Sequence, residues 1–285
     1  MMRYKPMLAY PASNKPIDYT KKVFIQPKLD GVRCVIQYDE EREFHGNGVV
    51  AYSRTGKEWK NISHILTELR PFFLKNPNVV LDGELYNHDL RNDFEKIISL
   101  VRKTKPTEEN RLESQEMVQF HCYDIIDETK TFSERMKFLK GNFPNTQYIK
   151  EVFTWPTKSE NIVKSIHEDN LENGYEGSIV RTNDVYKCGR SWSLRRFKDF
   201  EDSEALLLDW VEGLGKRKGT IGKFMAHDMD GNVFGMPVMD KFKYLQDNFE
   251  EMKTWVGKMA TFKYFERTKA GSYRHPLFKT IRDYE

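Results

Sequence analysis

Short apolar runs punctuate the first two thirds of the chain. KVFIQPKL (22–29), VRCVIQY (32–38), VVLDGELY (79–86), MVQFHCYDII (117–126) and GSIVR (177–181) read as strands. Between them, apolar residues recur at helical spacing. One set is Ile62, Ile65, Leu66, Leu69 and Phe73; a second is Phe94, Ile97, Ile98 and Val101; a third is Phe132, Met136 and Leu139; a weaker fourth is Ile162, Ile166 and Leu171. This mixture predicts an α+β domain built on antiparallel sheets. RKTKPTEENRLESQE (102–116) has no apolar period and reads as an exposed loop or a mobile helix end. After Phe200 the texture changes. EALLLDWVEG, GTIGKFMAHDMDGNVFGMP and GKMATFKYFE look like strands joined by Gly and Asp turns. They predict a small β-barrel of roughly 80 residues, the size of an OB-type fold. The expected domains are 1–201 and 202–285.

Composition narrows the class. A chain of 285 residues with 39% hydrophobic and 31% charged residues suits two wetted, cored domains. The net charge of +3 excludes a polybasic tail, so any grip on nucleic acid has to come from local clusters. Cys34, Cys122 and Cys188 form no C-x-x-C pair, which argues against a disulfide framework or a cysteine zinc site. No apolar run approaches the ~20 residues of a membrane span. A cytoplasmic protein, monomeric by default, is the expectation.

Candidate chemistry lies at strand ends. In KLDGVR (28–33), Lys28 and Asp30 are two apart, Gly31 permits a turn and Arg33 opens the next strand. A lysine in such company can be a nucleophile in a phosphate pocket; a charged hairpin is the plainer alternative. Arg54 in SRTGK (53–57) can bind phosphate or face solvent. Glu84, in Asp82-Gly83-Glu84, can accept from a ribose or sit in a surface turn. Tyr123 can stack on a purine or belong to the core. Glu176, between glycines, is a candidate Mg²⁺ ligand or a turn glutamate. Arg196 and Lys198 in SLRRFKDF (193–200), two apart on one strand face, can hold a phosphate. In the second domain, GKRKG clusters Lys216, Arg217 and Lys218, which can contact a DNA backbone without reading sequence.

In this order the series resembles the covalent nucleotidyltransferases. KLDGVR is similar to their K-x-D-G-x-R element, and SRTGK, DGELY, HCYDII, EGSIVR and RRFK to the elements that follow. The resemblance is strongest to compact ATP-dependent DNA ligases of viruses and bacteriophages, through MLAYPASNKP, FKDFEDSEALLLDWVEGLGKRKGTIGKF and FKYFERTKAGSYRHPLFKTIR. It implies a nucleotidyltransferase (adenylation) domain followed by an OB-fold barrel, with no DNA-clasping domain ahead of them. It implies a ligase of the bacterial or phage-infected cell that seals nicked duplex DNA.

The resemblance assigns Lys28 as the carrier of AMP from ATP. Glu84 and Tyr123 would hold the ribose and adenine, and Gln26 would belong to the same nucleotide site. Asp30 and Glu176 would organise Mg²⁺ or Mn²⁺, and Arg196 and Lys198 would hold the α-phosphate. Arg33 and Arg54 would meet nucleotide or nick phosphate, and Arg282 would orient pyrophosphate. Two departures stand out: Arg196 replaces the usual lysine of the basic pair, and Arg282-Asp283 is followed by Tyr284-Glu285 instead of a lysine. RNA ligases and capping guanylyltransferases share the chemistry, and a non-catalytic OB protein would share the scaffold.

Overall fold

The computed structural model describes residues 2, 4–44, 48–91, 93–198, 200–267 and 271–282. The chain divides into two compact units, Met1–Phe197 and Lys198–Glu285.

The first unit carries strands β1 (Met7–Pro11), β2 (Val23–Pro27), β3 (Val32–Tyr38), β4 (Val49–Tyr52), β5 (Val80–Tyr86), β6 (Gln119–Ile125), β7 (Ile149–Glu151), β8 (Trp155–Thr157), β9 (Ser178–Thr182) and β10 (Gly189–Phe197). Its helices are α1 (Glu40–Glu43), α2 (Ser63–Lys75), α3 (Phe94–Val101), α4 (Glu108–Met117), α5 (Phe132–Asn142) and α6 (Glu160–Glu172). The strands form two five-stranded sheets, ordered β1-β10-β9-β2-β8 and β4-β3-β5-β6-β7. Pairings are antiparallel except β1 with β10 and β6 with β7.

The first and third helical periods bury what their spacing predicts, whereas α6 buries Val163 and leaves Ile162 of the fourth exposed. Helix α2 turns Ile65, Leu66, Leu69, Phe72 and Phe73 into the core. Burying each such side chain stabilises by roughly 1.5–3 kcal/mol. Helix α5 starts at a capping box in which Thr131 and Glu134 satisfy each other's backbone N–H groups.

Two expectations change. The polar stretch 102–116 is not a loop through its second half: it forms α4, begun by a capping box between Thr107 and Asn110. The helix is pinned by polar contacts that leave no apolar period. Ser114 is buried and donates to the Asn61 carbonyl, while the Asn61 amide donates to Leu100 O and Asn110 O at 3.0 Å each. KLDGVR is not a hairpin either. Strand β2 belongs to one sheet and β3 to the other, so residues 28–31 carry the chain between sheets.

The second unit holds β11 (Glu201–Glu212), β12 (Ile221–His227), β13 (Val233–Pro237), α7 (Phe242–Asp247), α8 (Phe249–Lys253), β14 (Met259–Tyr264), β15 (Glu266–Arg267), β16 (Tyr273–Arg274) and β17 (Leu277–Ile281). Its main sheet runs β13-β12-β11-β14-β17, antiparallel throughout. Among the described residues β13 and β17 do not pair, so the expected barrel is an open sheet. Leu207, Phe224, Met236, Leu245, Met252 and Phe262 lie in its core. No helix among the described residues is long and apolar enough to cross a membrane.

Candidate active site

Lys28 lies one residue past the end of β2, where backbone pairing fixes it. Its N–H donates to Gly177 O at 2.9 Å, and Glu176 N–H donates to Lys28 O at 3.0 Å. The two segments are thereby clamped together, and the Lys28 ammonium pairs with the mostly buried Glu176 carboxylate. The clamp needs its glycines. A side chain on Gly177, at φ +139°, would collide with Phe197 O. One on Gly31 would collide with Leu85 O and stand 2.7 Å from Glu84 Cγ.

Across from Lys28, β3 and β5 pair so that Arg33 stands opposite Glu84. The Arg33 guanidinium gives Nε and Nη2 to the Asp82 carboxylate at 2.6 Å each, and Nη2 also reaches Met7 O at 3.1 Å. Burial alone would lower the Arg33 pKa, but the adjacent Asp82 more than offsets this and holds it well above the usual range. Asp82 also accepts from the Tyr186 hydroxyl at 2.7 Å. Among the described residues Glu84 has no such partner and accepts the Tyr123 hydroxyl at 3.2 Å. Burial raises its pKa to about 7, opposed by the Arg33 and Lys28 charges.

Tyr123 owes its position to a bulge. Along β5 the partners step from Asp124, opposite Asp82, to Cys122, opposite Gly83, leaving Tyr123 as the extra residue. Its ring is half-buried, with the guanidinium groups of Arg33 and Arg181 5.0 and 5.5 Å from its centre. Gln26 fixes the bulge: its amide donates to Tyr123 O at 3.0 Å and Thr154 Oγ1 at 2.9 Å, and its oxygen accepts from Arg181 Nε at 2.9 Å. Behind it Asp124, fully buried, accepts from Arg181 at 2.8 Å and from Arg135 at 2.7 and 3.0 Å.

These groups line a pocket of about 260 Å³. The structure brings together Gln26, Lys28, Arg33, Arg54, Glu84, Tyr123 and Arg196 from the sequence reading, and adds Arg181 and Arg190. Five arginines and Lys28 thus share the lining with Glu84, its one acidic residue among the described residues. Arg54 is held on a tight turn in which Ser53 and Lys57 pair through their backbones at 2.7 Å.

Other candidates lie elsewhere. Asp30 is half-buried in the crossing and outside the lining. Lys198 follows the end of β10 and falls in the second unit, its ammonium 3.2 Å from the centre of the Phe265 ring. Arg282 pairs with Glu204 in that unit, and Asp283, Tyr284 and Glu285 lie outside the described residues. Lys216 and Lys218 are exposed, whereas Arg217 is half-buried and donates to Val238 O at 2.8 Å. Among the described residues, no three His, Cys, Asp or Glu side chains form a ready-made metal cluster.

Sequence reasoning missed Arg181, Arg190, Asp124, Arg135 and Tyr186. Arg181 closes the GSIVR run and Asp124 follows Tyr123, so each stood beside a quoted residue, but nothing local shows that they meet.

Residues 6–198 match the family of ATP dependent DNA ligase domains. The chain belongs to that family. Curated relatives of this ligase-family chain include the DNA ligase of African swine fever virus (isolate Tick/South Africa/Pretoriuskop Pr4/1996), 29% identical over 211 residues. That alignment covers 69% of this chain, which spans 46% of the relative's length. A Lig E DNA ligase structure matches 99% of this chain and all of its own, with TM-score 0.74 and 24% identity. The bacteriophage T7 ATP-dependent DNA ligase in complex with ATP matches 98% of this chain and 99% of its own, with TM-score 0.54 and 19% identity. At these identities the structures speak for fold: the nucleotidyltransferase unit followed by an OB-type unit is the architecture of these ligases. The open sheet of the second unit is this chain's version of the latter.

Proposed function

We propose that this chain is an ATP-dependent ligase that seals 3′-OH/5′-phosphate nicks in duplex DNA, acting as a monomer. One observation carries the reading. The Lys28 amine opens into a pocket with five arginines, while Glu84 and Tyr123 share its wall. That is an amine nucleophile set in an anion-binding cradle with a ribose acceptor and an aromatic ring at hand.

The steps are in-line displacements at phosphorus. Lys28 attacks the α-phosphate of ATP, forming a phosphoramidate as pyrophosphate leaves. AMP then passes to the 5′-phosphate of the nick. The 3′-OH attacks that phosphate, and AMP departs. Positioning and charge neutralisation supply most of the acceleration. In the free protein the Lys28 ammonium is held by Glu176, so attack requires this pair to open and the proton to leave. Glu84 accepts from the ribose, Tyr123 faces the base, and Arg196 holds the α-phosphate in place of the usual lysine. Arg33 and Arg54 meet the nucleotide and nick phosphates.

The donor set fits Mg²⁺ or Mn²⁺ of the kind that arrives with a nucleotide, since such ions take one or two carboxylates and complete their shell with phosphate and water. Glu176 and Asp30 would hold it, and when bound it offsets phosphate charge.

The test is incubation with labelled ATP and Mg²⁺ followed by denaturing electrophoresis. The wild type should retain label and Lys28→Ala should not; undiminished label on Lys28→Ala would overturn the reading. Nicked DNA and nicked RNA, offered in parallel, then decide the substrate.

A further inference from the structure

A second cluster of cations and rings lies beside the pocket and, apart from Arg190, is used by none of these steps. Strands β1 and β10 run parallel until their register jumps: Ala9 stands opposite Ser191, but Tyr10 stands opposite Arg195. Trp192, skipped by the register, stacks on Tyr10 with ring centres 3.7 Å apart and planes 11° apart. A stack that close leaves one face of the indole, and the Arg195 guanidinium covers it at 4.4 Å. Lys15 lies 5.8 Å from the same ring, and Arg190 lies 5.4 Å from the Tyr10 ring while donating to Ala9 O at 2.8 Å.

Two properties mark this as a docking surface for a polyanion. Arg195 is 4% exposed, and its Nε and Nη1 are buried without an acceptor. Among the described residues no carboxylate pairs with Arg195, Arg190 or Lys15. Such uncompensated charge is a cost to the free protein and an attraction for an anion. Trp192 nonetheless keeps 41% of its surface exposed. Both its faces are taken, so no base can stack on it; its edge and the surrounding cations suit a sugar–phosphate backbone whose bases remain paired. Arg190 also lines the pocket, so a strand whose end reaches Lys28 passes this ledge.

We propose that Tyr10, Trp192, Arg195, Arg190 and Lys15 form a ledge that holds the backbone of duplex DNA beside the nick. This rests on the ligase reading and extends it. The rings and the buried Arg195 stiffen the ledge and lend it positive charge, and Lys15 and Arg190 hold the phosphates, without reading sequence.

The experiment uses the full chain and a nicked duplex ending in a 3′-deoxy sugar, so that binding is read without sealing. Trp192→Ala should weaken binding about tenfold through loss of the stack and its cation contacts, and Trp192→Phe should restore most of it. Lys15→Gln, at an exposed position, should weaken binding about threefold and reduce the salt slope by about 0.9. Both should take AMP label from ATP as the wild type does. If Trp192→Ala and Lys15→Gln label normally and also bind like wild type, the ledge is overturned and the ligase reading stands. A wild type that takes no label sinks the ligase reading, and the ledge with it.

Discussion

Asp82 receives both Nε and Nη2 of Arg33 at 2.6 Å and has no exposed surface of its own. The pair is thus a fixed bracket under the pocket: Arg33 lines the site, while Asp82 stays behind it and ties it to Tyr186 and, through that hydroxyl, to Met7 N at 2.6 Å. Removing one member leaves a charge with nowhere to go. Asp82→Ala should cost about 3–5 kcal/mol of stability in urea denaturation. Its AMP labelling should fall even where the protein remains folded. A loss below about 1 kcal/mol would show that Arg33 finds another partner.

Glu84 gives a pH-dependent prediction. Its carboxyl titrates at about 7 when folded, against 4.5 ordinarily. Between those values the folded state holds a proton that the unfolded state has lost, so stability is fullest below about 4.5 and declines as pH rises through 7. At pH 8 the penalty is on the order of 3 kcal/mol. Glu84→Gln should therefore raise the melting temperature at pH 8 and flatten its decline between pH 4.5 and 7. A melting profile parallel to that of the wild type would remove this account of the buried carboxylate.

The three cations of GKRKG should separate. Lys216 and Lys218 are exposed, so replacing either by Gln should weaken nicked-duplex binding and lower its salt slope by about 0.9, leaving stability within about 0.5 kcal/mol. Arg217→Gln loses the bond to Val238 O and should lower the melting temperature instead. Calorimetry alongside binding at several salt concentrations distinguishes the two behaviours; equal effects at all three positions would contradict it.

Gly31→Ala should be damaging out of proportion to its size. The added methyl meets Leu85 O and Glu84 Cγ where the chain crosses between sheets. Overpacking of this kind costs about 1–3 kcal/mol, and the displacement falls on Lys28 and Glu84 together. Lower AMP labelling with little change in ATP affinity is the expected signature.

The strands and helices that carry the site were legible because their side chains alternate or recur with a clear period, as in VRCVIQY and in Ile65, Leu66 and Leu69 of α2. Helix α4 was not, because its anchors are amide and hydroxyl contacts of Asn61 and Ser114. The pocket residues stood out one motif at a time, and Lys28, Arg33, Glu84 and Tyr123 do line one pocket. What remained hidden was the supporting layer. Asp124 and Arg135 are 11 positions apart and Arg181 a further 46, and only the folded sheets bring them within 3 Å. The stack of Tyr10 on Trp192 was equally silent, since it depends on an irregular register between two distant strands.

That supporting layer has a consequence for how the protein can vary. Asp124 serves two buried arginines at once, Arg135 from α5 and Arg181 from β9 in the other sheet. Changing Asp124 strands two cations in the interior, whereas changing either arginine leaves the other paired with Asp124, and changing all three to apolar residues of similar volume removes every charge together. Asp124 is therefore the position with no single-step exit: it can be lost only after both arginines have gone. Relatives that lack the carboxylate should lack both guanidiniums too, and a triple replacement should cost less stability than Asp124→Ala alone.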